Sequence, residues 1–165
     1  MTALSPVVKQ PRHAVRFADV AVGSPIPVTT LPLTLQRLVI EAGVNRDYTP
    51  THHDPALAVA SGAPAPYANT PMIMAMLEAG LRNWMGVEGR LLELDFRMRR
   101  FNLVGSLLEI GGRVTSLGPV APDCGLDDGE WGEVTLDCWI ASGADRTVEG
   151  LARVALRKCD FSGRP

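Results

Sequence analysis

The stretch NTPMIMAMLEAGLRNWMG, residues 69–86, reads as a helix along its whole length. Asn69 or Thr70 supplies an N-cap, and Pro71 sits at the first helical position, where a missing N–H is harmless. The body from Met72 to Leu77 is apolar on nearly every side, and after it only Glu78, Arg82 and Asn83 interrupt. A helix that apolar must be enclosed by the rest of its domain. Met72, Met74 and Met76 are flexible enough to fill an uneven groove. The helix is therefore expected at the centre of the core.

Downstream of Gly86 the period changes from helix to strand. Leu92, Leu94, Phe96 and Met98 alternate with Glu93, Asp95, Arg97 and Arg99, which predicts a strand with one buried face. Leu108, Ile110 and Val114 mark a second strand, in which Gly111-Gly112 signals a bulge or a close approach. A polar connection over 119–131 leads to two more strands, 134–140 and 148–156, joined by the turn Ser142-Gly143-Ala144-Asp145. Upstream, residues 1–15 carry Pro6 and Pro11 without periodicity and read as a surface tail, leaving 16–165 as one domain. Pro25, Pro27 and Pro32 restrict the first strand, near 26–30, to a sheet edge. Thr34 caps a predicted helix with Leu35, Leu38, Val39 and Ala42 on one face and Gly43 as its stop. A short helical turn over 55–61 follows, capped by Asp54 and closed by Gly62. Helices followed by a run of strands argue an α+β fold, a curved antiparallel sheet wrapping one long helix.

Composition narrows the functional classes. The chain has 165 residues, 46% hydrophobic and 21% charged, with a formal charge of -2, which suits one globular domain and not a disordered chain. A pI near 5.9 offers no basic field for nucleic acid. No apolar run approaches a bilayer span, and Met1 to His13 lack the apolar region of a secretory signal, so a cytoplasmic protein is expected. Cys124, Cys138 and Cys159 are odd in number and widely spaced, which excludes a disulfide scaffold and a cysteine zinc site. Cys138, in alternation with Val134, Leu136 and Ile140, reads as a small core residue.

Chemistry concentrates in the loop Asp47-Tyr48-Thr49-Pro50-Thr51-His52-His53-Asp54. Asp47 and His52, five residues apart on a loop stiffened by Pro50, can reach one small molecule and form an acid–base pair; a purely structural hydrogen bond is the equal alternative. Adjacent side chains on an extended loop point apart, so His52, His53 and Asp54 do not suit a metal, and His53 reads as a supporting or solvent residue. No G-x-S-x-G nucleophile elbow occurs. Arg97, Arg99 and Arg100 form a basic cluster, either a solvated strand face or contacts for the phosphates of a nucleotide-like ligand. The positive end of the 69–86 helix faces the loop and can polarise a carbonyl oxygen.

At these residues the chain resembles the MaoC-like hot-dog dehydratases, the (R)-specific enoyl-CoA hydratases. Asp47, Pro50, His52, Asp54, Ala58, Gly62 and Pro66 fall in register with that family's D-x-N-P-[IL]-H-x-D motif and its downstream offsets. Phe17-Ala18-Asp19-Val20, Gly23 and Gly105 match more weakly. Thr49 stands where the motif has Asn, and Asn69-Thr70 where it has His-Gly. Arg46-Asp47, His52-His53-Asp54, Asn69 and Trp84-x-Gly86 look especially similar to the small catalytic subunits of heteromeric steroid-side-chain enoyl-CoA hydratases.

The resemblance implies a hot-dog fold, a homodimer or a heterodimer with another hot-dog chain, an acyl-CoA substrate, and no metal or cofactor. It implies Asp47 and His52 as the catalytic pair that activates water. Asn69, Thr70 and Gly62 become the oxyanion- and substrate-binding positions, with the Thr70 N–H on the enolate oxygen. A hot-dog thioesterase and a non-catalytic acyl-CoA-binding subunit are the competing readings.

Overall fold

Asn69 sets where the long helix begins, because its Oδ1 accepts the Met72 N–H at 3.0 Å and satisfies a donor the helix itself cannot. In the computed structural model, which describes residues 14–159, that helix is α3 (Thr70–Met85), with Asn69 as its N-cap. Before it come β1 (Pro25–Pro32), α1 (Leu35–Asn45) and α2 (Pro55–Ala60); after it β2 (Arg90–Met98), β3 (Leu107–Pro119), β4 (Trp131–Ser142) and β5 (Asp145–Arg157). The strands form one antiparallel sheet in the order β1-β3-β4-β5-β2. Helix α3 lies on it against β1, β2, β3 and β4, the expected α+β arrangement. Ile73, Leu77, Leu81 and Met85 meet Leu136, Ile140, Val148, Val154 and Leu156 in the main core.

Several local readings hold. The edge strand β1 is interrupted between Ile26 and Thr29, around Pro27, which has no N–H to give the ladder. Thr34 Oγ1 accepts the Arg37 N–H at 3.2 Å, and Asp54 Oδ1 accepts from Ala56 and Leu57 at 2.8 and 3.0 Å. Ser142 pairs with Asp145 across a tight turn in which Gly143 has a φ of 62°. Gly111-Gly112 is a close approach, since a Cβ on Gly112 would stand 2.6 Å from the Asp137 carbonyl oxygen, and the register shift of β1 falls opposite Gly111. The β3 bulge falls later, between Val114 and Ser116. Cys138 is buried, and burial pushes its thiol up to about 11, the behaviour of an inert core side chain.

Other readings are corrected. Helix α1 runs past Gly43 to Asn45 and is ended by Arg46 in the left-handed conformation at φ 56°. One glycine inside a helix weakens it without breaking it. Only Leu38 and Ala42 of α1 are buried, while Val39 is 50% exposed, because α1 rests on the Pro50–His52 turn along a narrow stripe. Leu92 does not share a face with Leu94 and Phe96. A bulge between Leu91 and Glu93 reverses the alternation, so Leu91 joins the main core and Leu92 packs with Val120, Trp131 and Ala155. Helix α3 is not enclosed on every side. The sheet covers one side, and Pro71, Met74, Ala75 and Ala79 remain exposed on the other, Met74 by 48%.

The expected tail lies outside the described residues as far as His13, and Val15 packs on the core. On the sheet, the Arg153 guanidinium forks onto Glu133 at 2.7 and 2.9 Å and reaches Glu93 at 2.9 Å, tying β5 to β4 and β2. Arg153 holds the Glu133 carboxyl below its usual range. Among the described residues no helix is long and apolar enough to cross a membrane, and no group of three or more His, Cys, Asp or Glu could hold a metal ion.

Candidate active site

The loop between α1 and α2 is positioned from both ends. The Asp47 N–H follows the α1 cap onto the Ala42 carbonyl at 2.9 Å, and Pro50 opens a 3-10 turn ending at His52. The turn drives His52 inward, the residue 8% exposed, with its ring edge-on to Tyr67 at a centroid distance of 4.9 Å. His52 Nδ1 lies 2.9 Å from the Tyr67 carbonyl oxygen. A carbonyl can only accept, so Nδ1 carries the proton, and in the neutral ring Nε2 keeps its lone pair. Nε2 faces Asp47 Oδ2 at 3.6 Å, too far for a direct hydrogen bond.

The Tyr67 carbonyl is itself held in place. The Ala68 N–H donates to the Asn102 carbonyl at 3.0 Å and the Val104 N–H to that of Pro66 at 2.8 Å, stitching this segment beside residues 102–104. Asp47 is held by Asn69 from the helix cap and by Thr49 from its own loop. Asn69 Nδ2 donates to Oδ2 at 2.7 Å, and the Thr49 N–H donates to Oδ1 at 3.3 Å. Hydrogen bonding favours the ionised carboxylate and holds Asp47 below the usual carboxylate range, Asn69 contributing most, then the Thr49 side chain, and the Thr49 N–H less.

Asp47, His52, Asn69 and Thr70 line one cavity of about 750 Å³, with Tyr67, Ala68, Pro71, Met98, Arg99, Arg100, Phe101 and Asn102. No acceptor among the described residues takes the Thr70 N–H, so the positive end of α3 presents a free donor here. Arg99 pairs with Glu149 at 2.9 Å and Arg100 with Asp145 at 3.4 Å, both exposed pairs. The structure thus brings together Asp47, His52, Asn69, Thr70, Arg99 and Arg100. Gly62 and Arg97 do not line the cavity. Gly62 turns the chain out of α2 at a φ of 93°, and Arg97 is exposed on β2. His53 lies outside the lining as well, and His53→Ala should keep turnover within about twofold of the parent in a steady-state assay.

Sequence reasoning missed Tyr67, Phe101 and Asn102. Asn102 is 2% exposed and its Oδ1 lies 2.6 Å from the Thr147 hydroxyl, a distance typical of O–H···O bonding. The one available signal was an amide embedded in the apolar run 101–104.

No protein-family model and no curated protein sequence matches the chain. Solved structures do. The chain matches the ChsH1-ChsH2 complex from Mycobacterium tuberculosis at a TM-score of 0.71 and 20% identity, over 83% of this chain and 98% of that one. The (R)-hydratase from A. caviae involved in PHA biosynthesis gives 0.70 and 21%, over 83% and 97%. A MaoC-like dehydratase from Rhodospirillum rubrum gives 0.73 and 16%, over 92% and 99%. The chain has the hot-dog fold of these proteins.

Proposed function

We propose that this hot-dog chain is a hydro-lyase, reversibly hydrating a trans-2-enoyl-CoA thioester to the 3-hydroxyacyl-CoA, as its resemblance to the MaoC-like dehydratases implies. The observation that carries the reading is Asp47 Oδ2 and His52 Nε2, two acceptors 3.6 Å apart in the wall of the cavity at the start of α3. Two acceptors at that spacing suit one water that donates a proton to each. The water oxygen then keeps a lone pair for attack on the β-carbon. As the new C–O bond forms, the Cα=Cβ π electrons shift toward the thioester carbonyl and the water gives one proton to the Asp47–His52 pair. That pair then returns a proton to the α-carbon as the carbonyl re-forms, so one H₂O is added in sum. Negative charge gathering on the thioester oxygen meets the Thr70 N–H and the positive end of α3. This chemistry calls for no metal or cofactor.

Arg99 and Arg100, at the same cavity, suit the phosphates of CoA. Arg99→Ala is expected to raise KM for acyl-CoA several-fold with kcat unchanged, the mark of uniform binding; an unchanged KM would make the cluster a solvated face. The open apolar side of α3 and the edge of β2 suit a second hot-dog subunit, either another copy or a different chain.

A panel of linear and ring-bearing enoyl-CoAs tests the function. Loss of enoyl absorbance without free thiol supports hydration. Thiol release would make the chain a thioesterase, and no turnover, alone or paired with another hot-dog subunit, would leave a binding subunit.

A further inference from the structure

Asn69 is 5% exposed, and a buried amide has to place both of its ends. It does so across an element boundary. Oδ1 accepts the Met72 N–H at 3.0 Å and closes the start of α3, while Nδ2 donates to Asp47 Oδ2 at 2.7 Å. Serine or aspartate would cap a helix as well, so capping alone does not explain an amide here. Asparagine places an acceptor for the cap and a donor for a carboxylate on two separate atoms of one short planar group.

We propose that Asn69 is a positioning residue acting through Asp47, tying the catalytic carboxylate to the first turn of α3. The oxygen it holds is the one that faces His52 Nε2 at 3.6 Å, and the helix turn it closes bears the free Thr70 N–H. The carboxylate and the helix end therefore keep one relative geometry. The loop adds Thr49, whose N–H lies 3.3 Å from Oδ1 and whose side chain also favours the ionised carboxylate, but the Asn69 bond is the largest single contribution. Thr49 also stands where the resembled motif carries an amide, and in this chain the amide arrives from the helix cap. The other titratable side chains lining the cavity are His52, Tyr67, Arg99 and Arg100, the two arginines being paired with Glu149 and Asp145. The role deepens the hydratase reading, and only its kinetic readout rests on that reading.

Asn69→Ser separates the two functions, because the shorter serine side chain keeps an oxygen at the cap and withdraws the amide Nδ2 that reaches Asp47. The expected result is a Tm close to the parent's and kcat lowered about 10–100-fold, as for a slightly misplaced catalytic group. KM should change little. The acid limb of kcat/KM should move to higher pH, because without the donor the carboxyl regains its proton sooner. Asn69→Thr, which also caps without an amide, should behave alike. A carbon-13 NMR titration of the Asp47 carboxyl needs no turnover and should show a higher pKa in both variants. Parental kcat, pH profile and Asp47 titration in both would overturn the proposal and leave Asn69 a helix cap. If the parent hydrates no enoyl-CoA, the hydratase reading fails, and the Asp47 titration still decides Asn69's role.

Discussion

Asp47→Asn and His52→Ala are each expected to lower enoyl-CoA turnover by about 10²–10⁴-fold, the contribution of a positioned acid–base group. The amide introduced by Asp47→Asn would keep the shape of the carboxylate and could still accept from Asn69, so the variant should melt close to the parent while lacking the charge that helps hold the water. His52→Ala removes the nitrogen base facing Asp47 across the 3.6 Å gap, together with the bond to the Tyr67 carbonyl. Some loss of Tm is expected there, because the ring packs edge-on against Tyr67. Initial rates paired with thermal melts separate the two effects. Near-parental rates in both variants would remove this pair from the mechanism and leave the two side chains as structural groups of the loop.

Leu77→Ala is expected to destabilise the fold by about 2–5 kcal/mol, the range for leucine deletions in tight cores. Leu77 is 1% exposed on the sheet-facing side of α3. Beside Leu81, Ile26, Ile110 and Cys138 it leaves a gap of only about 10 Å³, at the lower limit for a single water. Gly80, close by, already lets Ile110 approach so tightly that a Cβ would meet its Cγ2 at 3.0 Å. With neighbours this well filled, little collapse can offset the deleted atoms. The midpoint of urea unfolding, read with an unchanged m-value, measures the loss. A change below about 1 kcal/mol would mean that α3 is not the seat of the core.

What was legible in the sequence was whatever depends on neighbours along the chain. The caps at Thr34, Asp54 and Asn69 are fixed by residues three or fewer positions away, and the turn after Ser142 is set by its own glycine. Asp47 and His52 share one loop, so their meeting could be read from spacing. The Tyr67 carbonyl that orients His52 could not, because every residue carries the same carbonyl and only the fold says which one arrives. The link between Asn69 and Asp47 spans 22 positions, and the Asn102–Thr147 bond spans 45; neither leaves a local trace. The face of Leu92 was misread because a one-residue bulge reverses every later alternation while leaving the composition of the strand unchanged. The open side of α3 was hidden for a related reason. An apolar stripe looks the same whether a sheet covers it or it faces outward, as at Met74.

The most direct test of the central claim follows the oxygen of water. The chain is incubated with crotonyl-CoA in H₂¹⁸O, alone and paired with another hot-dog subunit, and the products are read by mass spectrometry. If Asp47 and His52 direct water to the β-carbon, one ¹⁸O appears in the hydroxyl of 3-hydroxyacyl-CoA, the thioester stays intact, and Asp47→Asn nearly abolishes the incorporation. Label in a free carboxylate with release of CoA, or no label in either arrangement, would contradict it.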